Sequence, residues 1–232
     1  MTMKNFDQLT LGIELDDDAR FENFHTSGEN QQVLDALQAE QSEQFIFLWG
    51  SGSPGLTHLL QAACHQASLE NKSAMYLPLK EKNHFSVEIL DGAAALSLLC
   101  IDDLDAVVGD ENWEAALFTA FNSLRESQGR LIVAGKTSAQ NIQIVLPDLL
   151  SRLQSGLTLQ VKELSDSEKL LALQARAKQR GIAMSDSVAE FILLRAERSL
   201  PALMLILDQL DKGSLEQKRK LTIPLVKSIL DW

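Results

Sequence analysis

Two cysteines, five prolines and a single tyrosine in 232 residues leave little material for several common architectures. Cys64 and Cys100 lie in apolar stretches without metal-ligand spacing. That excludes a disulfide scaffold or zinc cluster and points to buried thiols in a reducing cytoplasm. No apolar run approaches the about 18 residues of a membrane helix. The opening MTMKNFDQLTLGIELDDD is acidic and lacks the apolar core of a signal peptide. A dense basic block is missing too. The net charge is −11, unevenly spread: residues 1–44 carry two basic and ten acidic side chains, 45–161 seven and twelve, and 162–232 twelve and ten. Such a chain should repel duplex DNA, because non-specific affinity comes from neutralising phosphates.

What is present is a globular composition, 45% apolar, with room for one large domain or a medium one and a satellite. Five short apolar runs read as strands: Phe45–Trp49, Ala74–Leu79, Leu96–Ile101, Arg130–Ala134 and Leu157–Val161. Segments such as Thr57–Ala67 and Trp113–Glu126 between them are apolar at helical spacing. Continuous apolar strands alternating with helices imply a parallel sheet covered on both faces. From Ser165 onward the pattern is helix after helix. Ser165-Asp166-Ser167-Glu168 has the spacing of a capping box, Gly181 ends that helix, and Ser185 caps the next. Thr222-Ile223-Pro224 reads as the cap and first turn of the last helix. The expected organisation is a tail over 1–18, an α/β unit over 19–163 and a helical unit over 164–232, without internal repeats.

The segment WGSGSPGLTHLL fits two phosphate-loop patterns. Gly50-x-Gly52-x-x-Gly55 matches the dinucleotide fingerprint. Gly50-x₄-Gly55-Leu56-Thr57 matches the mononucleotide P-loop, except that Leu56 stands where lysine belongs. A strand before the loop and a helix after it place backbone N–H groups and a positive helix end toward an anion. A dinucleotide site wants an acidic residue closing the second strand, which instead ends Leu77-Pro78-Leu79-Lys80. Lys80 and Lys82 could face a 2′-phosphate, so an NADP-type enzyme stays open. A serine nucleophile elbow at Ser53 fails, since no Asp lies between it and the last histidine, His84. The run Leu98-Leu99-Cys100-Ile101-Asp102-Asp103 favours the P-loop. It has the Walker B layout, in which the first carboxylate joins the loop Ser/Thr on Mg²⁺ and the second orients water.

Four segments in order, WGSGSPGLTHLLQAAC, LLCIDDLDAVVGDENWE, LPDLLSRL and LDQLDKGSLEQKRKLTIPLVKSIL, together resemble the Hda family, bacterial regulators related to the replication initiator DnaA. The resemblance runs from about Gln8 to the C-terminus. It implies an AAA+ P-loop type parallel sheet covered by helices, then a small all-α lid, with no appended DNA-binding domain. It also implies a function: promoting hydrolysis of DnaA-bound ATP while held on the DNA polymerase sliding clamp. Self-association into a homo-oligomer stays open, as does a catalytically inert adaptor that only binds protein.

The resemblance carries over to particular residues. Gln8, Leu9, Leu11 and Ile13 look like the clamp-binding peptide, with Gly12 where proline is usual and the bound shape therefore less preset. Arg152 falls where the family carries its arginine finger, a cation given in trans to a partner's nucleotide. Gly50, Gly52, Gly55, Thr57, Asp102 and Asp103 would form the nucleotide site. Leu56 replaces its lysine, Lys136 stands at a polar sensor position, and Pro201 replaces the lid's sensor arginine, with Arg198 nearby. ATPase activity of the chain itself should be weak or absent, with ADP, and Mg²⁺ only beside it, as the ligand such a site would hold.

Overall fold

The computed structural model describes residues 15–26, 28–39, 43–217 and 221–232. Five strands form one parallel sheet: β1 (Phe45–Trp49), β2 (Ala74–Pro78), β3 (Leu98–Asp102), β4 (Arg130–Gly135) and β5 (Leu157–Gln160), in the order β2-β3-β4-β1-β5. β1 to β4 are apolar at most positions because both faces are covered, whereas the edge strand β5 reads Leu-Thr-Leu-Gln with Gln160 exposed. Phe47, Leu99, Ile101, Leu131 and Val133 point to one face, against α3 (Glu111–Ser127) and α4 (Pro147–Ser155). Ile46, Leu48, Cys100, Ile132 and Ala134 point to the other, against α1 (Gln31–Gln38) and α2 (Leu56–Leu69). The alternation follows from the two-residue period of a strand. Both cysteines are buried free thiols, and burial and the neighbouring Cys64 push the Cys100 thiol up.

A separate apolar cluster holds together α5 (Asp166–Gln179), α6 (Asp186–Arg195), α7 (Leu200–Gln217) and α8 (Ile223–Leu230), centred on Leu173, Ile192, Leu203, Leu207 and Val226. The capping box at α5 is formed: Ser165 Oγ accepts from Glu168 N at 3.4 Å and Glu168 Oε2 accepts from Ser165 N at 2.8 Å. Gly181 follows α5 at φ +74°. Ser185 precedes α6 but does not cap it, because its hydroxyl meets Ser187 Oγ at 3.0 Å instead. Thr222 and Pro224 open α8, again without a side-chain cap bond.

Strand ends differ from the sequence reading for local reasons. β2 stops at Pro78 because Leu79–His84 turn into a 3₁₀ helix. β3 starts at Leu98 because Ala93–Ala95 form another, and it runs on through Asp102. β4 reaches Gly135, and β5 ends at Gln160, one residue short of Val161.

Leu15 to Asp18, placed in the tail by sequence, lie along α2. Asp16 N donates to Gln61 Oε1 at 3.0 Å, and His65 Nε2 lies 3.0 Å from Asp16 O. Asp18 then reaches α5, 2.8 Å from Arg176 and 2.7 Å from Arg180, and Arg180 also pairs with Asp208 on α7. Burial works against the Asp18 carboxylate, but the Arg180 hydrogen bond and the charges of Arg176 and Arg180 outweigh it and hold its carboxyl below the usual value. The tie is therefore present above the ordinary aspartate range and weakens as pH falls through the lowered value. Gln8, Leu9, Leu11 and Ile13 lie outside the described residues.

Candidate functional site

The loop Gly50–Gly55 leaves β1 at the carboxyl edge of the sheet and enters α2 at Leu56. Two of its glycines take positive φ, +77° at Gly52 and +93° at Gly55, which side chains rarely allow. Gly50 is needed for another reason. Its N–H donates to Gly135 O at 3.2 Å, and a Cβ there would lie 2.4 Å from the Val161 carbonyl oxygen. A Cβ on Gly55 would meet the Phe24 ring at 2.8 Å. The bend delivers the amino end of α2 to the edge of the sheet, as a phosphate loop does.

Thr57 and Asp102 come together there although 45 residues separate them: Thr57 Oγ1 donates to Asp102 Oδ2 at 2.7 Å. Asp102 is 3% exposed and accepts two further bonds, from Tyr76 Oη at 2.8 Å and from Asp103 N at 2.9 Å. Burial and the Asp102 charge raise the Tyr76 phenol, so it stays a donor. Asp103 adopts φ +53°, and burial followed by the Asp102 charge raises its carboxyl, with Lys80 and Lys136 pulling the other way. Among the described residues no group of three or more His, Cys, Asp or Glu could hold a metal. The Thr57–Asp102 pair suits Mg²⁺ only beside a nucleotide.

The backbone of this site fits a phosphate, and its charges do not. Leu56 packs against the core around α2 and offers no cation. Pro201 is exposed in the first turn of α7. Arg198 is paired with Asp166 at 2.8 Å. Lys136 is exposed, anchored by its own N–H to Asp105 Oδ2 at 2.6 Å. Glu163 puts a carboxylate against the loop itself, 2.4 Å from where a Gly52 Cβ would stand. As a set, these residues leave the loop poor in cations for a polyphosphate. Of the basic pair left open for an NADP-type site, Lys82 is bound to Asp110 at 2.9 Å.

Arg152 sits at the other end of the sheet. It belongs to the last turn of α4, just before β5 begins, and its guanidinium lies 5.6 Å from the centroid of the Phe121 ring. Phe121 meets Phe45, the first residue of β1, at 4.3 Å between centroids. Together they line a cavity of about 320 Å³ that opens beside the guanidinium. At roughly 3.3 Å per residue, the length of β1 separates this corner from the chain's own loop. Among the described residues no carboxylate pairs with Arg152. Its charge is held by an aromatic face and points away from its own phosphate loop.

Several residues that position these groups carried no sequence signal. Glu114 on α3 is 1% exposed. It accepts from Gly109 N at 2.8 Å, Val145 N at 2.9 Å and Leu146 N at 2.7 Å, which fixes the start of α4 and so the placement of Arg152. Asp105 holds the turn after β4, Tyr76 holds Asp102, and Phe121 carries Arg152. Apart from the Gly109–Glu114 bond, these contacts join segments far apart in the chain, where local patterns do not reach.

The comparisons with known proteins agree with this architecture. Residues 15–160 match the family model described as the bacterial DnaA ATPase domain, and residues 166–230 match that of the Hda lid domain. Domain III of Thermotoga maritima DnaA is 19% identical, with a TM-score of 0.79 over 94% of this chain and 98% of that one. DnaA from Aquifex aeolicus bound to AMPPCP is 22% identical, with a TM-score of 0.72 over 88% and 68%. A DnaA bound to AMPPCP and single-stranded DNA is 21% identical, with a TM-score of 0.72 over 89% and 70%. A five-stranded parallel sheet with a DnaA-type ATPase match, followed by four helices with an Hda-type lid match, identifies the chain as a member of the bacterial DnaA ATPase-domain family, a Hda/DnaA-related AAA+ protein.

Proposed function

We propose that this protein is a cytoplasmic negative regulator of DNA replication initiation that promotes hydrolysis of DnaA-bound ATP while docked on the sliding clamp. The α/β unit would span 19–163, the lid 164–232, and the segment around Gln8–Ile13 would reach the clamp. The observation that carries the reading is Arg152: a guanidinium without a carboxylate partner among the described residues, held over Phe121 at the corner opposite its own loop. A cation so placed cannot serve a nucleotide on its own chain. It can serve one brought by a neighbouring subunit, where charge developing on the transferred phosphoryl group needs a planar donor. Family membership supports DnaA as that neighbour. ADP on the chain's own loop would bind weakly, with Thr57 and Asp102 on the Mg²⁺ side and the loop glycines on the phosphate side.

The weakened loop favours a second reading, an AAA+-like adaptor that binds protein and stimulates nothing. Removing residues 1–13 tests the platform part of the first. The shortened protein should lose capture by immobilised sliding clamp, and with it clamp-dependent stimulation. Full clamp binding after the deletion would remove the tail from the mechanism.

A further inference from the structure

Glu163 is placed by the sheet itself. β5 lies beside β1 in the register Trp49 to Gln160, and Val161 N donates to Trp49 O at 2.7 Å. The chain leaving β5 therefore runs alongside the chain entering the loop. Buried Asn30 clamps the next residue from both sides, accepting from Lys162 N and donating to Lys162 O, each at 2.9 Å. The backbone leading to Glu163 is thereby held, although the Glu163 side chain is 39% exposed. A Cβ built on Gly52 would stand 2.4 Å from Glu163 Oε2 and 3.2 Å from its carboxyl carbon, so the carboxylate touches the crest of the loop. Its other oxygen, Oε1, accepts from Lys169 Nζ at 2.9 Å. The Lys169 side chain is only 8% exposed. It rises from the first turns of α5, whose capping box fixes the helix start, and its own N–H donates to Ser165 O at 2.8 Å.

A phosphate loop attracts anions through backbone N–H groups and the helix end, and it relies on added cations for affinity. This loop has Leu56 in place of one cation, and the nearby Lys169 is already neutralised. The Glu163 carboxylate, paired with that lysine, touches Gly52. We propose that Glu163, held by Lys169, is a specificity-determining residue that keeps nucleotide polyphosphates off the loop. The inference rests on the phosphate-loop reading of residues 50–57 and is independent of Arg152. Its test uses the protein alone, without DnaA or clamp, so its failure leaves the regulatory function untouched.

Inorganic pyrophosphate, Mg-ADP and adenosine are titrated calorimetrically into the full chain as wild type, Glu163→Gln, Leu56→Lys and the double variant. Glutamine keeps an oxygen for the Lys169 hydrogen bond and removes the charge. Pyrophosphate and Mg-ADP should bind at least tenfold more tightly to the double variant than to Leu56→Lys, with adenosine unchanged. Equal affinities with and without the Glu163 charge overturn the proposal. So does an equal gain for adenosine, which would place the effect on the nucleoside rather than on phosphate. Lys169→Gln in the Leu56→Lys background is the second arm. It unmasks the carboxylate and should weaken pyrophosphate binding at least threefold, and unchanged or tighter binding contradicts the assignment. Melting curves by circular dichroism confirm that the variants compared are folded.

Discussion

Replacing Arg152 with alanine should lower the clamp-dependent rate of hydrolysis of DnaA-bound ATP by about 10³-fold or more, the range of an arginine donated in trans. The side chain is partly exposed, and its contact with Phe121 is a cation–π stack at 5.6 Å. Such a contact contributes about 0.5–1 kcal/mol at an exposed site, so the variant should unfold close to the wild-type midpoint. Arg152→Lys separates charge from shape. Lysine keeps the cation but not the planar fork, so the rate should recover only in small part. Single-turnover hydrolysis with DnaA in defined nucleotide form reads both variants. An unchanged rate in Arg152→Ala would mean that Arg152 is not the finger.

A second large effect is expected in stability. Glu114→Ala removes a carboxylate that accepts from three backbone N–H groups, at Gly109, Val145 and Leu146. Each donor left without a partner in a partly buried place costs about 1–3 kcal/mol, and the alanine also leaves a void beside α3. Val145 is 59% exposed, so water can repair part of the loss. A net destabilisation of about 2–4 kcal/mol in denaturant unfolding is the expected result. Because Leu146 and Pro147 open α4, stimulation of DnaA should also drop in the surviving folded fraction. A loss below about 0.5 kcal/mol would mean that the turn before α4 is held by something other than Glu114.

The sheet was legible because its inner strands β1, β3 and β4 are buried on both faces and therefore largely apolar. Phe45–Trp49 was read to the residue. Where edges slipped, at Leu79 and at Leu96–Ser97, a 3₁₀ turn adjoins the strand, and Leu79 and Leu96 are as apolar as the strand residues beside them. The helix α5 announced itself through its capping box, whereas α1, eight residues flanked by polar ones, did not. In the site, Thr57 and Asp102 were paired on loop and strand grammar, and their hydroxyl–carboxylate bond at 2.7 Å agrees with that pairing. The tie of Asp18 to Arg176 and Arg180 could not be read, since no local pattern links the start of the chain to α5. Nor could the approach of Glu163 to Gly52, which exists only because β5 pairs with β1. The missing cations at Leu56 and Pro201 were visible by position. What stands in their place, the Glu163 carboxylate, is set by the fold.

On the proposed function, this chain acts on a nucleotide it does not itself hold. DnaA is loaded with ATP labelled at the γ-phosphate and freed of excess nucleotide, then mixed with the unlabelled wild-type protein and clamp-loaded DNA. Label should leave DnaA as inorganic phosphate within a single turnover, with ADP remaining on DnaA, and the same protein incubated with labelled ATP but no DnaA should release almost none. Release from the protein alone at a comparable rate, or none from DnaA in its presence, would contradict the account.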